Sequence, residues 1–238
     1  MPSILITGAN RGLGLEFAKQ YAADGWRVLA TCRDPDSADE LNALAGASSG
    51  LITLHKVSIG DHASIEALAN ELKGQPIDIL LNNAGTYGHV DFPDNGIEVQ
   101  SFGKMDYESW SFVLAINTMA PLKMSEALFE NILASDQKKI FTISSTIGSI
   151  ADCEGMHYAY GSSKAAVNFL MASMAKDLRD QGVTVMPLHP GWVETGMGGE
   201  TAPVQPEDSI AGLKKVMDNA SLETSGQFIG FDGATIPW

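Results

Sequence analysis

The chain has 238 residues, 45% of them apolar, and a formal net charge of −14. That length suits one domain (1–238) with a sizeable core, and an acidic surface of one sign repels phosphate backbones, which excludes nucleic acid as a partner. The only cysteines, Cys32 and Cys153, show no pairing or ligand spacing. No apolar run approaches the ~18 residues of a membrane span and no basic segment leads into a long apolar stretch, so a cytoplasmic protein with no membrane partner is expected.

Ser3 to Thr7 is a short apolar run that predicts a buried strand. Thr7-Gly8-Ala9-Asn10-Arg11-Gly12-Leu13-Gly14 follows, and then Leu13, Phe17, Ala18 and Tyr21 fall at helical spacing. Strand, glycine-rich turn and helix in this order let a backbone approach a pyrophosphate, which then rests on the N–H groups of the helix start. Trp26 to Thr31 predicts the second strand, at whose end an acid would bind a ribose 2′-hydroxyl and an arginine would accommodate a 2′-phosphate. Arg33 holds that place, and Arg11 lies in the glycine turn. Two guanidiniums suit a phosphate dianion, with Asp34 as the competing feature.

Asp36 to Ala45 predicts a helix and Leu51 to Val57 a third strand. Ile65, Leu68, Ala69 and Leu72 mark another helix. Ile77 to Leu81 predicts a fourth strand, followed by Asn82-Asn83-Ala84-Gly85. The stretch from Tyr87 to Met105, with Pro93, Asn95, Gly96 and Gly103, predicts a surface loop. A long helix is expected from Tyr107 to Leu133, with Asn117 on its solvent face. Lys138 to Ser144 predicts the fifth strand, and Tyr160 to Arg179 a helix with Ala166, Phe169, Leu170 and Met174 on its apolar face. Val183 to Leu188 and Gln227 to Phe231 complete the strands, with a helix over Pro206 to Ala220 between them. Alternating strands and helices imply a parallel sheet with right-handed crossovers.

Tyr160 and Lys164 stand four residues apart, on one helical face. An ammonium beside a phenol favours phenolate and lowers the tyrosine pKa, giving a proton donor and acceptor for neutral pH. No His, Cys or carboxylate cluster has metal-ligand spacing, so no metal is expected.

Taken together, Thr7-Gly8-x3-Gly12-x-Gly14, Asn82-Asn83-Ala84-Gly85, Asn117, Ser145, Tyr160-x3-Lys164 and Pro190-Gly191 resemble the short-chain dehydrogenase/reductase family over nearly the whole chain. Leu188 to Val193, Met197-Gly198-Gly199 and the Asp232 to Trp238 ending resemble its sniffer-like and C-factor-like carbonyl reductases. The resemblance implies an α/β, Rossmann-type three-layer fold, with a seven-stranded parallel sheet and helices on both faces. It implies NADP(H) as cofactor and reduction of a carbonyl, in an aldehyde, ketone or quinone, by hydride transfer. Tyr160 is then the general acid. Ser145 bonds the substrate oxygen, Lys164 lowers the tyrosine pKa and binds the nicotinamide ribose, and Asn117 holds a water feeding protons toward Lys164.

The implied cofactor contacts are Gly8, Asn10, Arg11, Gly12, Leu13, Gly14, Arg33, Val57, Asn83, Ala84, Gly85, Tyr160, Lys164, Pro190, Gly191, Val193 and Thr195. The implied substrate wall is Ser145, Cys153, Met156, Tyr160 and Trp192, with His157 and Met197 nearby. Lys56 stands where many members carry an adenine-contacting aspartate, which leaves a backbone contact at Val57. Fifteen positions separate Ser145 from Tyr160, slightly more than is usual in the family. Ser144 and Tyr158 are neighbouring decoys. A homodimer or homotetramer is expected. The alternative function is a dinucleotide-binding regulatory protein of the same fold, C-factor-like.

Overall fold

Seven apolar runs pair into one sheet in this computed structural model, which describes residues 1–90 and 92–238. They are β1 (Ser3–Thr7), β2 (Arg27–Cys32), β3 (Ile52–Lys56), β4 (Ile79–Asn82), β5 (Lys139–Ile143), β6 (Thr184–His189) and β7 (Ile229–Gly230). Every pairing is parallel, in the order β3-β2-β1-β4-β5-β6-β7. Successive side chains point to opposite faces of a strand. Thus Ile4 and Ile6 join one core with Phe17, Tyr21, Leu41 and Leu213, while Leu5 joins the other with Leu68, Leu80, Met124 and Met171. The first core lies under α1 (Gly12–Ala23), α2 (Asp39–Ala47) and α8 (Pro206–Asn219). The second lies under α3 (His62–Glu71), α5 (Ala120–Ala127) and α7 (Tyr158–Asp177). This is the three-layer α/β arrangement expected. Strand order reverses between β1 and β4, and a parallel sheet opens a crevice beyond its carboxyl edge at such a point.

The long helix expected over Tyr107 to Leu133 is not one helix. It divides into α4 (Tyr107–Leu114), a π-turn (Ala115–Met119), α5 and α6 (Phe129–Leu133). Pro121 accounts for the break: it has no N–H for the carbonyl of Asn117, and its ring crowds that carbonyl. Asn117 therefore sits in the widened turn, buried rather than on a solvent face. The loop before α4 contains 3₁₀ turns at Phe92–Asp94 and Glu98–Gln100.

Helix α7 begins at Tyr158, and its buried face carries Ala159, Ser163, Lys164, Val167, Asn168, Met171 and Ala175. Phe169, expected on the apolar face, is 72% exposed. The pattern misleads because the inward face of α7 includes polar groups that the site uses.

Candidate functional site

The crevice is a cavity of about 1130 Å³ running from the glycine turn to the start of α7. In the turn, Gly8 has φ +66°, a left-handed conformation that glycine adopts freely, and a Cβ on Gly14 would stand 2.2 Å from the Gly8 carbonyl oxygen. Strand and helix start thus meet backbone to backbone. Asn83 holds the turn from the far side, its Nδ2 donating to the carbonyls of Thr7 (2.8 Å) and Gly8 (3.2 Å). Gly8, Asn10, Arg11, Gly12, Leu13 and Gly14 line this end, with Val57, Asn83, Ala84 and Gly85.

Arg33 lines it too, its side chain exposed to the crevice. Asp34, the competitor, accepts a 2.7 Å hydrogen bond from the Ser37 hydroxyl and is not among the lining residues. The Val57 N–H is already given to the Cys32 carbonyl, and Lys56 is exposed at the end of β3. Pro190, Gly191, Val193 and Thr195 form the opposite rim. The Thr195 methyl would lie 3.8 Å from a Cβ on Gly12, so the rim closes toward the turn. Trp192 joins the lining and donates its Nε1–H to the Gly198 carbonyl at 2.8 Å.

At the other end, Ser145, Tyr160 and Lys164 converge. Lys164 is 4% exposed and donates to the Ile143 carbonyl at 2.8 Å. Burial pulls its pKa down to about 8, so it is still cationic at pH 7. Its Nζ lies 5.4 Å from the centre of the Tyr160 ring. Burial pushes Tyr160 up to about 12, against the opposing pull of the Ser145 hydroxyl. This corrects the expectation of a tyrosine lowered by its lysine: the ammonium is aimed at the Ile143 carbonyl, and burial of the phenol sets the direction. Tyr160 is accordingly protonated at neutral pH.

Ser144 is occupied elsewhere, its hydroxyl donating to Asn168 Oδ1 at 2.6 Å, while the Ser145 oxygen accepts the Ile147 N–H at 3.2 Å. Tyr158 is 43% exposed and outside the crevice lining. Asn117 lies behind the crevice: its Oδ1 accepts the Thr86 N–H (2.8 Å), and its Nδ2 donates to the Thr86 carbonyl (2.8 Å) and Ser163 Oγ (3.0 Å). It joins the π-turn to α7 and to the loop after β4.

Cys153 and Met156 do not line the crevice; both are exposed. Met156 and His157 both take left-handed backbone (φ 57° and 53°), and that turn carries His157 into the wall instead. Sequence reasoning missed the residues it meets there. Tyr87 lies against the Tyr160 ring at a 30° tilt, centres 5.1 Å apart, and its hydroxyl lies 2.5 Å from His157 Nδ1. Phe92 packs edge-on to Tyr87 at 5.5 Å. Burial lowers the His157 pKa, which favours the neutral ring beside the Tyr87 hydroxyl. His189 also lines the wall, pulled down to about 4 by burial. The position of Tyr87, two residues beyond Asn-Asn-Ala-Gly, was the one available signal.

A family model described as short chain dehydrogenase matches residues 2–205. The chain is 34% identical over 175 residues to the C-signal protein of Myxococcus xanthus, covering 73% of this chain and all of that one. The NADPH-bound carbonyl reductase from chicken fatty liver superposes with a TM-score of 0.89 at 34% identity, over 100% of this chain and 99% of that one. The carbonyl reductase Sniffer of D. melanogaster superposes with a TM-score of 0.90 at 28% identity over all of both chains.

The burial of Lys164 has a measurable consequence. Its pKa is depressed on folding, from 10.5 to about 8. The unfolded chain therefore binds more protons between those values, and stability rises with pH across that window. In urea unfolding from pH 7.5 to 10, the wild type should gain about 2 kcal/mol relative to Lys164→Met. Equal pH dependence in the two proteins would show that the ammonium is not buried as described.

Proposed function

The chain belongs to the short-chain dehydrogenase family, and from that premise we propose that it is an NADP-dependent carbonyl reductase with Tyr160 as general acid. The observation that carries the reading is the convergence of Ser145, Tyr160 and Lys164 at one end of a crevice whose other end is a glycine cradle. The cradle fits a dinucleotide: its strand and helix start meet backbone to backbone at Gly8 and Gly14, and Arg11 and Arg33 line the crevice as two cations for a 2′-phosphate. The NADPH-bound state of the chicken relative supports the same cofactor. When bound, the nicotinamide supplies the hydride. Gly8, Asn10 to Gly14, Asn83 to Gly85, Pro190, Gly191, Val193 and Thr195 would hold the dinucleotide.

The chain's own groups manage the charge that hydride arrival leaves on the carbonyl oxygen. The Ser145 hydroxyl donates to that oxygen, a stabilisation worth most in a site shielded from water. Tyr160, protonated at neutral pH, releases its proton to it, and the Lys164 ammonium stabilises the phenolate left behind. Asn117 anchors Thr86 and Ser163 behind Lys164, and we assign it the holding of a water there. The substrate is a small neutral carbonyl compound held against the aromatic wall of Tyr87, Phe92, His157 and Trp192. The similarity to the C-signal protein favours a second reading, a dinucleotide-binding regulatory protein. Binding of NADPH with no consumption across a broad carbonyl panel would favour that one.

NADPH consumption should be measured with a panel of aldehydes, ketones and quinones. Tyr160→Phe should lower turnover by ~10²–10⁴-fold with NADPH affinity retained, and Tyr158→Phe should change little. A Tyr160→Phe enzyme with most of its rate would contradict the assignment. Arg33→Asp should weaken NADPH far more than NADH, whereas equal losses would remove the 2′-phosphate role. Phe112, Met119 and Phe169 are exposed on the π-turn and the helices beside it. They support a homodimer or homotetramer, so light scattering should return the mass of two or four chains, and a single-chain mass at micromolar concentration would refute it.

A further inference from the structure

Helix α7 starts without a cap of its own. Its N-cap residue, His157, has left-handed backbone and no capping side chain. The first N–H groups of a helix have no partner within it. Gly161 reaches the His157 carbonyl at 2.6 Å, but the N–H of Tyr160 has no such acceptor in its own chain segment. It donates instead to Oε1 of Gln100, at 2.8 Å, sixty residues away.

The Gln100 side chain is 4% exposed, and its other end is engaged too: Nε2 donates to the Tyr87 carbonyl at 2.5 Å. The two partners fix the amide's orientation, because a flipped amide would face donor to donor and acceptor to acceptor. One side chain thus joins the backbone of Tyr87 to that of Tyr160, and the rings of those residues lie against each other at a 30° tilt. The Tyr87 hydroxyl is held in turn by His157.

We propose that Gln100 is a positioning residue for Tyr160, an acceptor supplied from the loop before α4 that sets where the Tyr160 ring stands relative to Ser145 and Lys164. The proposal rests on Tyr160 as the proton donor. Gln100 touches neither the glycine cradle nor the rim, so its loss should affect turnover and spare cofactor binding. Small displacements of a reacting group cost rate steeply, with about 1 Å worth on the order of 10²-fold.

Two variants separate this role from general support of the fold. Gln100→Met keeps the length and loses both hydrogen bonds; Gln100→Glu, its buried carboxyl protonated, keeps an acceptor for the Tyr160 N–H and an O–H donor for the Tyr87 carbonyl. Hydrogen–deuterium exchange over residues 158–161, NADPH affinity by fluorescence, and kcat with 4-nitrobenzaldehyde at saturating NADPH are the readouts. Gln100→Met should exchange faster and lose about tenfold or more in kcat, with NADPH affinity unchanged within about twofold. Gln100→Glu should keep slow exchange and recover most of the lost kcat. Gln100→Leu takes the place of the Met variant if that protein does not fold.

Wild-type kcat in a variant with quickened exchange, or equal loss of kcat in the Glu and Met variants, would overturn the proposal. Tyr160→Phe run in parallel keeps the two readings apart. If it retains turnover, the proton-donor reading fails; if it is inactive while Gln100→Met is not, only the role of Gln100 fails.

Discussion

A cation buried under a phenol is the constraint on which the site depends. An ammonium taken out of water is costly unless it is hydrogen-bonded. Lys164 meets that cost with the Ile143 carbonyl, the last of β5, so the lysine sits where the sheet's carboxyl edge opens. Helix α7 must come very close to the turn after β5 for this to work. At Gly148 a Cβ would lie 2.7 Å from the Lys164 carbonyl carbon, a clash that only the absence of a side chain avoids. The same approach brings Ser145 to face Tyr160, one helical turn before the lysine.

The two halves of the crevice are joined by polar side chains rather than by the apolar cores. Asn117 connects the π-turn to Thr86 and to Ser163 on α7, and Thr118 donates to the Ser163 carbonyl at 2.9 Å. Trp110 on α4 adds a 2.9 Å bond to Ser162. Each of these three side chains bonds to a different segment, so the π-turn, the loop after β4 and the start of α7 hold a fixed relation. On the proposed reading, a carbonyl bound between the glycine cradle and Tyr160 would meet donors already in place, which is the condition for electrostatic stabilisation without reorganisation.

Much of this was legible in the residues. Glycine spacing, alternating strands and helices, and a Tyr-x3-Lys pair are local patterns with local physical meaning, and they placed the parallel sheet and both ends of the crevice. What stayed hidden depends on contacts far apart in the chain. Asn117 read as a solvent-facing helix residue because mid-helix asparagines usually are; Pro121, four residues on, was the overlooked sign that the helix opens there. Phe169 read as core because the inward face of α7 carries Ser163, Lys164 and Asn168, which a hydrophobic pattern assigns outward. Cys153 and Met156 were placed in the substrate wall by position in the loop, but two consecutive left-handed residues redirect that backbone and bring in His157. Gln100 and Tyr87 lie in an irregular loop with no periodicity, where only the folded chain says what they touch.

The coupling of Lys164 to Tyr160 is tested most directly by the pH dependence of the reverse reaction, NADP⁺-dependent oxidation of 4-nitrobenzyl alcohol, in which the proposed mechanism makes the phenolate the base. In the wild type the rate should rise along a limb below about 12, the value that burial sets for Tyr160 against the pull of the Ser145 hydroxyl, with Lys164, held near 8, titrating in the same range. In Lys164→Met that limb should move to higher pH, because the favourable charge is gone. A limb at the same pH in both enzymes would contradict the proposal that the buried ammonium stabilises the phenolate of Tyr160.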